Sequence, residues 1–213
     1  MKYIFSFIAI LLVFIGSDLI AQPFIGVHAG TNSMSVSGNI PSKTKFKSSG
    51  GFQFGVSADF TIAKDVLISF QPGVIKSETN LQFLDVNTDL YEDSVGFDFT
   101  YFELPIEIQI MSKNKRFYFS SGLEFSALMK AESTIESETE DISEDLNQFN
   151  IFMNYGLTYL IPVGKPSLFI EGRYSQGLIN MTNTPDEDSY IPRIKLSGWK
   201  FRAGIRIPLK SDD

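Results

Sequence analysis

Between residues 52 and 62 every second side chain is apolar (Phe52, Phe54, Val56, Ala58, Phe60, Ile62), while Gln53, Gly55, Ser57, Asp59 and Thr61 fall between them. A backbone that reverses its side chains at each residue produces this period, so the segment reads as a strand with one greasy and one wet face. The pattern returns in Phe102, Leu104, Ile106, Ile108 and Ile110 against Glu103, Glu107 and Gln109. It returns again in Ile151, Met153, Tyr155, Leu157, Tyr159 and Ile161 against Asn154, Gly156 and Thr158. A last copy sets Trp199, Phe201, Ala203, Ile205, Ile207 and Leu209 against Lys200, Arg202, Gly204 and Arg206. Less regular copies cover residues 24–35, 66–76, 116–129 and 168–181, which makes eight strands. β-branched and aromatic residues dominate these segments and glycine recurs inside them, which disfavours helices.

The connections alternate in length. Residues 63–65, 112–115 and 162–167 are short, whereas 37–50, 77–95, 130–148 and 182–193 are long and polar. Strands of about 9 to 11 residues, with short turns on one side and long loops on the other, are what a bilayer demands of a barrel. Alternation alone does not say which face is which: a soluble eight-stranded barrel such as a lipocalin turns its apolar residues inward around a ligand. The connection lengths and the aromatic residues near the strand ends favour the membrane form, in which such residues sit at the headgroup level. The composition of the wet face favours it too. Turned inward, Asp59, Glu103, Glu107, Glu124 and Glu171 share a narrow space with Arg173, Lys200, Arg202 and Arg206, and opposite charges confined together can pair. The expected fold is therefore all-β: an eight-stranded antiparallel up-and-down transmembrane β-barrel. Closure removes the sheet edges, which lipid cannot satisfy by hydrogen bonding.

Lys2 followed by an apolar run to Ile15, with Ala21 before Gln22, reads as a secretory signal peptide over residues 1–21, followed by one barrel domain over residues 22–213. Asp18 interrupts the run short of the roughly 20 apolar residues a helical anchor needs. The chain has no cysteine, which excludes disulfides and a lipidated cysteine. A formal charge of -7 argues against nucleic acid as a partner. Fifteen of the twenty-five acids lie in residues 77–95, 131–147 and 182–192, where no Lys or Arg occurs, so the negative charge is concentrated in the long loops.

Two motifs carry a family resemblance. Tyr101-Phe102-Glu103-Leu104-Pro105-Ile106 resembles the Tyr-x-Glu-Ile/Leu-Pro strand of the PorT-like outer-membrane β-barrel proteins of Bacteroidetes. Arg173-Tyr174-Ser175-Gln176-Gly177-Leu178-Ile179-Asn180 resembles that family's Arg-Tyr-Ser-x-Gly-Leu-x-Asn run. The resemblance implies an integral outer-membrane protein with a structural or interaction role. It points toward surface biogenesis or protein secretion, since the named member is associated with the type IX system. It brings no catalytic, cofactor-binding or metal-binding residue.

The residues themselves point the same way. Glu103 and Glu107 share a face and are expected to pair with Arg173 or Arg202 across the lumen rather than to handle protons. Pro105 between them predicts a bulge or kink, having no N–H for the ladder. An interior just wide enough for side chains argues against a diffusion pore. His28 is the sole histidine, set among Gly26, Gly30 and Asn32 with no hydrolase signature, so no enzyme is expected. One histidine without cysteine falls short of a zinc site. Glu132, Glu136, Glu138, Glu140, Asp141, Glu144 and Asp145 read as a solvated, mobile loop lacking the order of a calcium loop. Lys43, Lys45 and Lys47 in the first long loop are complementary to lipopolysaccharide phosphates or to the neighbouring acidic loops. Gly198 and the alternating strand to Leu209 suit the barrel assembly machinery. The expected partners are thus outer-membrane lipid, lipopolysaccharide, that machinery, and secretion or surface proteins. No cofactor is expected. A small ligand-binding or transport barrel is the alternative, and a lipid-modifying outer-membrane enzyme a more distant one.

Overall fold

A computed structural model describes residues 21–38, 43–85, 90–182 and 194–209. Most of the segment expected from sequence to be a signal peptide (residues 1–20), most of the fourth long connection and residues 210–213 lie outside the described residues. The strands are β1 (Ala21–Gly38), β2 (Thr44–Ala63), β3 (Val66–Phe70), β4 (Gly73–Asp85), β5 (Leu90–Met111), β6 (Phe117–Ile135), β7 (Glu138–Asp141), β8 (Phe149–Pro162), β9 (Ser167–Gly177) and β10 (Ile194–Pro208). A single 3-10 turn, Ser143–Asp145, follows β7. All pairings are antiparallel between chain neighbours. β1 closes the sheet on β10, from Phe24 opposite Pro208 to Gly38 opposite Ile194. β3 and β4 are one stave interrupted at Gln71 and Pro72, and β7 is a hairpin extension of β6, so the ten strands make an eight-staved barrel.

The interruption has a chemical cause. Gln71 N–H donates to Pro105 O at 3.1 Å. Neither Pro105 nor Pro72 has an N–H to donate, so the ladder loses its return bonds there. The break expected from Pro105 therefore appears in the facing stave, while β5 itself runs unbroken through Pro105. It leaves Gln71 buried and facing the lumen.

The apolar face looks outward. Val27 is 58% exposed and Phe201 53%, whereas Asp59 is 0% and Arg173 1%. A soluble barrel with an apolar interior would show the reverse. Along β5 the lipid-facing apolar side chains run from Phe102 to Ile110, spanning roughly 20 Å of height at about 3.3 Å per residue on a tilted strand. Toward the loop end Tyr174 meets Trp199 edge-on at 5.3 Å and Trp199 stacks on Phe201 at 6.1 Å, and Phe117 meets Tyr159 at 4.9 Å near the turns.

The long connections are not simple loops. β2 extends back to Thr44, β4 and β5 continue through much of residues 77–95, and β6 with β7 forms a hairpin in residues 130–141. These segments stand above the apolar belt, where the outward face meets water and needs no apolar residues, so the alternation that marks a strand in sequence weakens, although inward residues such as Thr79 and Ala131 stay buried. Irregularities at Ser48/Gly50, Leu81/Gln82 and Thr100/Tyr101 also shift the phase. The acids of residues 132–145 therefore sit on a hairpin and 3-10 turn where the sequence read as irregular loop, β7 is exposed as expected, and Glu132 pairs with Lys130 at 2.7 Å. Lys45 and Lys47 lie on β2, with Lys43 just before it.

Candidate functional site: the sealed lumen

Among the described residues nine charged side chains point inward, and the staves bring them together. Lys200 Nζ on β10 lies 2.5 Å from Glu103 Oε2 on β5, and 2.8 and 2.9 Å from the two oxygens of Glu124 on β6. Asn154 Nδ2 donates to Glu124 at 3.0 Å and to Glu107 at 3.4 Å. Arg173 Nη2 on β9 reaches Glu107 at 2.9 Å, Glu171 at 2.8 Å and Gln71 Oε1 at 2.6 Å. Arg202 grips Glu171 through Nε and Nη2, both at 2.9 Å, and also donates to Gln71. Thr158 adds a 2.8 Å bond to Glu171. Toward the turns, Arg206 Nη2 lies 2.9 Å from Asp59 Oδ2, close but without hydrogen-bond alignment, and donates to Gln109 at 3.1 Å. Ser69 donates to the other oxygen of Asp59.

Two apolar layers close this network. Toward the loops Met34, Ile75, Tyr101, Phe152, Leu196 and their neighbours form a plug, with Leu146 and Met181 folded over the mouth. Asn147 Nδ2 donates to the carbonyls of Asn180 and Thr182 at 2.7 and 3.3 Å, and Asn180 Oδ1 accepts from Ile194 N–H at 2.8 Å, which pins the mouth. Toward the turns Leu67, Tyr118, Leu160 and Phe169 form the second layer. A cavity of about 10 Å³ lies between Lys200, Glu124 and the upper plug. That is room for about one water molecule and nothing larger.

Inward glycines make the charges fit. A Cβ on Gly30 would stand 2.0 Å from Phe201 O and 2.7 Å from Arg202 Cα; one on Gly55 would stand 2.8 Å from His28 Nε2.

Glu107 pairs with Arg173 as expected, whereas Glu103 pairs with Lys200 and not with either arginine. His28 is buried in the lumen, with Nε2 3.2 Å from Arg202 Nη1. A guanidinium can only donate, so Nε2 accepts and is not available to draw a proton from a serine. Gln71 is the residue sequence reasoning missed. It is an uncharged side chain in an irregular strand, and only the Pro72 that follows it gave a signal. Among the described residues no three His, Asp or Glu side chains converge as metal ligands would.

The sequence matches the family described as outer membrane protein beta-barrel domain over residues 20–183. The chain belongs to this family. It is an outer-membrane protein. Among solved structures, Neisserial surface protein A resembles it with a TM-score of 0.50 and 14% identity, over 86% of this chain and 96% of that one, a likeness of fold. OprG from Pseudomonas aeruginosa aligns with a TM-score of 0.48 and 12% identity, over 90% of this chain and 98% of that one. Ail of Yersinia pestis aligns with a TM-score of 0.43 and 13% identity, over 88% of this chain and 100% of that one. No curated protein sequence matches the chain. In this member of the family the two sequence motifs face each other across the lumen: Glu103 and Glu107 flank Pro105 on β5, and Arg173 stands on β9.

Proposed function

We propose that the protein is a sealed membrane scaffold, non-enzymatic and non-conducting, whose task is performed by the strands and hairpins that rise above the membrane. The observation that carries this reading is the lumen itself: an ion-paired layer held between two apolar plugs. A filled interior offers no path for solute, and His28 facing Arg202 offers no base for acyl chemistry. What remains for a partner is the loop end. There the hairpin carrying Glu136, Glu138 and Glu140 is exposed, and Lys43, Lys45 and Lys47 present their charges outward. Lys45 Nζ lies 3.8 Å from the Tyr91 ring centroid.

The PorT-like resemblance supports a role in surface biogenesis or protein secretion, with a surface or secretion protein bound at the hairpin and lipopolysaccharide phosphates at the lysines. The barrel assembly machinery would read β10. The test combines conductance with capture. Reconstituted barrel should give a silent planar bilayer, and affinity capture from native outer membranes should recover a protein that is lost when residues 134–141 are replaced by a two-residue turn. Stepwise conductance, or identical capture by both forms, would refute the scaffold reading.

A further inference from the structure

The turn end of the barrel carries the opposite charge from the loop end. Its three turns hold Lys64, Lys113, Lys115, Arg116 and Lys165 against one acid, Asp65. All five cations are exposed. Among the described residues none of Lys64, Lys113, Lys115 and Arg116 has a carboxylate within ion-pair distance. We propose that this rim is a binding ring for the phosphate groups of anionic phospholipids in the inner leaflet of the outer membrane.

The height of the ring argues for lipid. The exposed apolar side chains Ile62, Ile110, Phe117 and Val163 lie within three residues of the cations along the chain, and the Phe117 ring meets that of Tyr159 at 4.9 Å with a 45° tilt, at the level where interfacial aromatics sit. The turns are too short to carry their charges away from that level, because β2 and β3 are joined by Lys64 and Asp65 alone. Long basic side chains at this depth lay their stems on the apolar belt and put their heads among phosphates.

The local structure of the middle turn supports the same reading. Asn114 Oδ1 accepts from Ser112 Oγ at 2.6 Å and from Arg116 N–H at 3.1 Å, and Ser112 Oγ accepts from Phe117 N–H at 3.0 Å. Lys115 takes a left-handed φ of 57°. The turn's uncharged polar groups thus satisfy one another, and the cations are what it offers outward. The strands spread the three turns around the barrel, so the charge forms a ring and not a patch.

The test uses the whole refolded barrel in micelles holding equimolar phosphatidylglycerol and phosphatidylcholine, with bound lipids counted by native mass spectrometry. Each phosphate engaged by one basic group should favour phosphatidylglycerol roughly fivefold at low salt. The variant Lys64→Gln/Lys113→Gln/Lys115→Asn/Arg116→Gln/Lys165→Gln should bring the ratio to about one. Lys43→Gln/Lys45→Gln/Lys47→Gln, at the other end, should leave it unchanged. If the fivefold variant does not refold, Lys113→Gln/Arg116→Gln should still lower the ratio, and so should 0.5 M salt with the unaltered chain. A preference that survives neutralisation of the rim, or that vanishes with the loop-end lysines, would overturn the proposal. So would capture of an acidic protein by a rim that shows no lipid preference.

Discussion

Arg173 is where the lumen network can be tested most sharply. It holds Glu107 at 2.9 Å and Glu171 at 2.8 Å and is 1% exposed, so neither solvent nor salt screens the pairs. Arg173→Met keeps the stem and removes the charge. Glu171 retains the two-bond grip of Arg202. Glu107 is left with neutral donors, Asn154 at 3.4 Å among them. Stranding a buried carboxylate in this way costs roughly 3–5 kcal/mol. Glu107→Gln removes the other half and leaves Arg173 on Glu171 and Gln71, a loss of about 1–2 kcal/mol. The double variant should cost less than the two singles together by about 2–3 kcal/mol, because no unpaired charge remains. Urea titration in lipid vesicles measures each step. Trp199 is the sole tryptophan and faces lipid between Tyr174 and Phe201, so its emission reports barrel opening without an added label. A cost below about 1 kcal/mol for Arg173→Met, or full additivity in the double variant, would refute the claim that these pairs are dry and mutually dependent.

Further outcomes follow from other parts of the fold. Leu67→Ala, in the fully buried layer near the turns, should destabilise the barrel by roughly 2–5 kcal/mol in the same titration. Gly30→Ala should cost about 3 kcal/mol or prevent folding, because its Cβ strikes Phe201 O on β10. Gly172→Ala, whose Cβ meets the Phe201 ring at 3.5 Å, should fold normally, and heat-modified mobility on a denaturing gel separates the two. Glu136 and Ser137 form the β6–β7 turn with φ of 48° and 83°, so Glu136→Asn/Ser137→Gly should relieve roughly 1 kcal/mol of local strain and slow amide exchange in β7. The hydroxyl and amide of Ser143 hold Asp141 below the usual aspartate range, with Ser143 N–H 2.9 Å from Oδ1. A depressed carboxyl stabilises above its unfolded pKa of 3.8 and loses that contribution as pH falls through the lower folded value. Protection of the Ser143 amide should therefore fade on acidification below pH 3.8, and Asp141→Asn should flatten that dependence.

The sequence made the charged layer legible because each of its members fell on the wet side of an alternating strand, and alternation assigns faces. It left the partners open. Residues four apart on β5 share a face, yet which cation stands opposite each is fixed by strand tilt and stagger, and these put Lys200 and not Arg173 against Glu103. The plugs were hidden for a related reason. Met34, Tyr118, Leu128 and Phe169 are apolar residues at inward positions, so they blurred the alternation of β1, β6 and β9, the strands whose copies were least regular. Beyond the hydrocarbon the signal weakened, which is why strand in residues 44–50 and 130–135 read as loop.

The same geometry explains why the lumen keeps ions where a fully apolar core would also fill the space. Four of the six lumen ion pairs cross the barrel between staves that are not neighbours: β10 to β5 and β6 through Lys200, β9 to β5 through Arg173, β10 to β2 through Arg206; the other two, Arg173 and Arg202 on Glu171, lie within β9 or between β9 and β10. A one-residue slip of β10 against β1 and β9 would move its whole inward set to the lipid face. Lys200, Arg202 and Arg206 would then stand in hydrocarbon at roughly 2–4 kcal/mol each near mid-membrane, with their carboxylates stranded inside. An apolar lumen would carry no such penalty, since leucine is as well placed outside as in. On this argument the ions hold the closing strand in register, and Lys200→Met, Arg202→Met and Arg206→Met combined with Glu103→Gln, Glu124→Gln, Glu171→Gln and Asp59→Asn should give a barrel that still folds. It should also show mixed β1–β10 registers, detected as disulfides both at Ser33→Cys with Trp199→Cys, the native pair, and at Met34→Cys with Trp199→Cys, the pair one residue out of register. A single register in that variant, identical to the parent's, would remove the role assigned to the network.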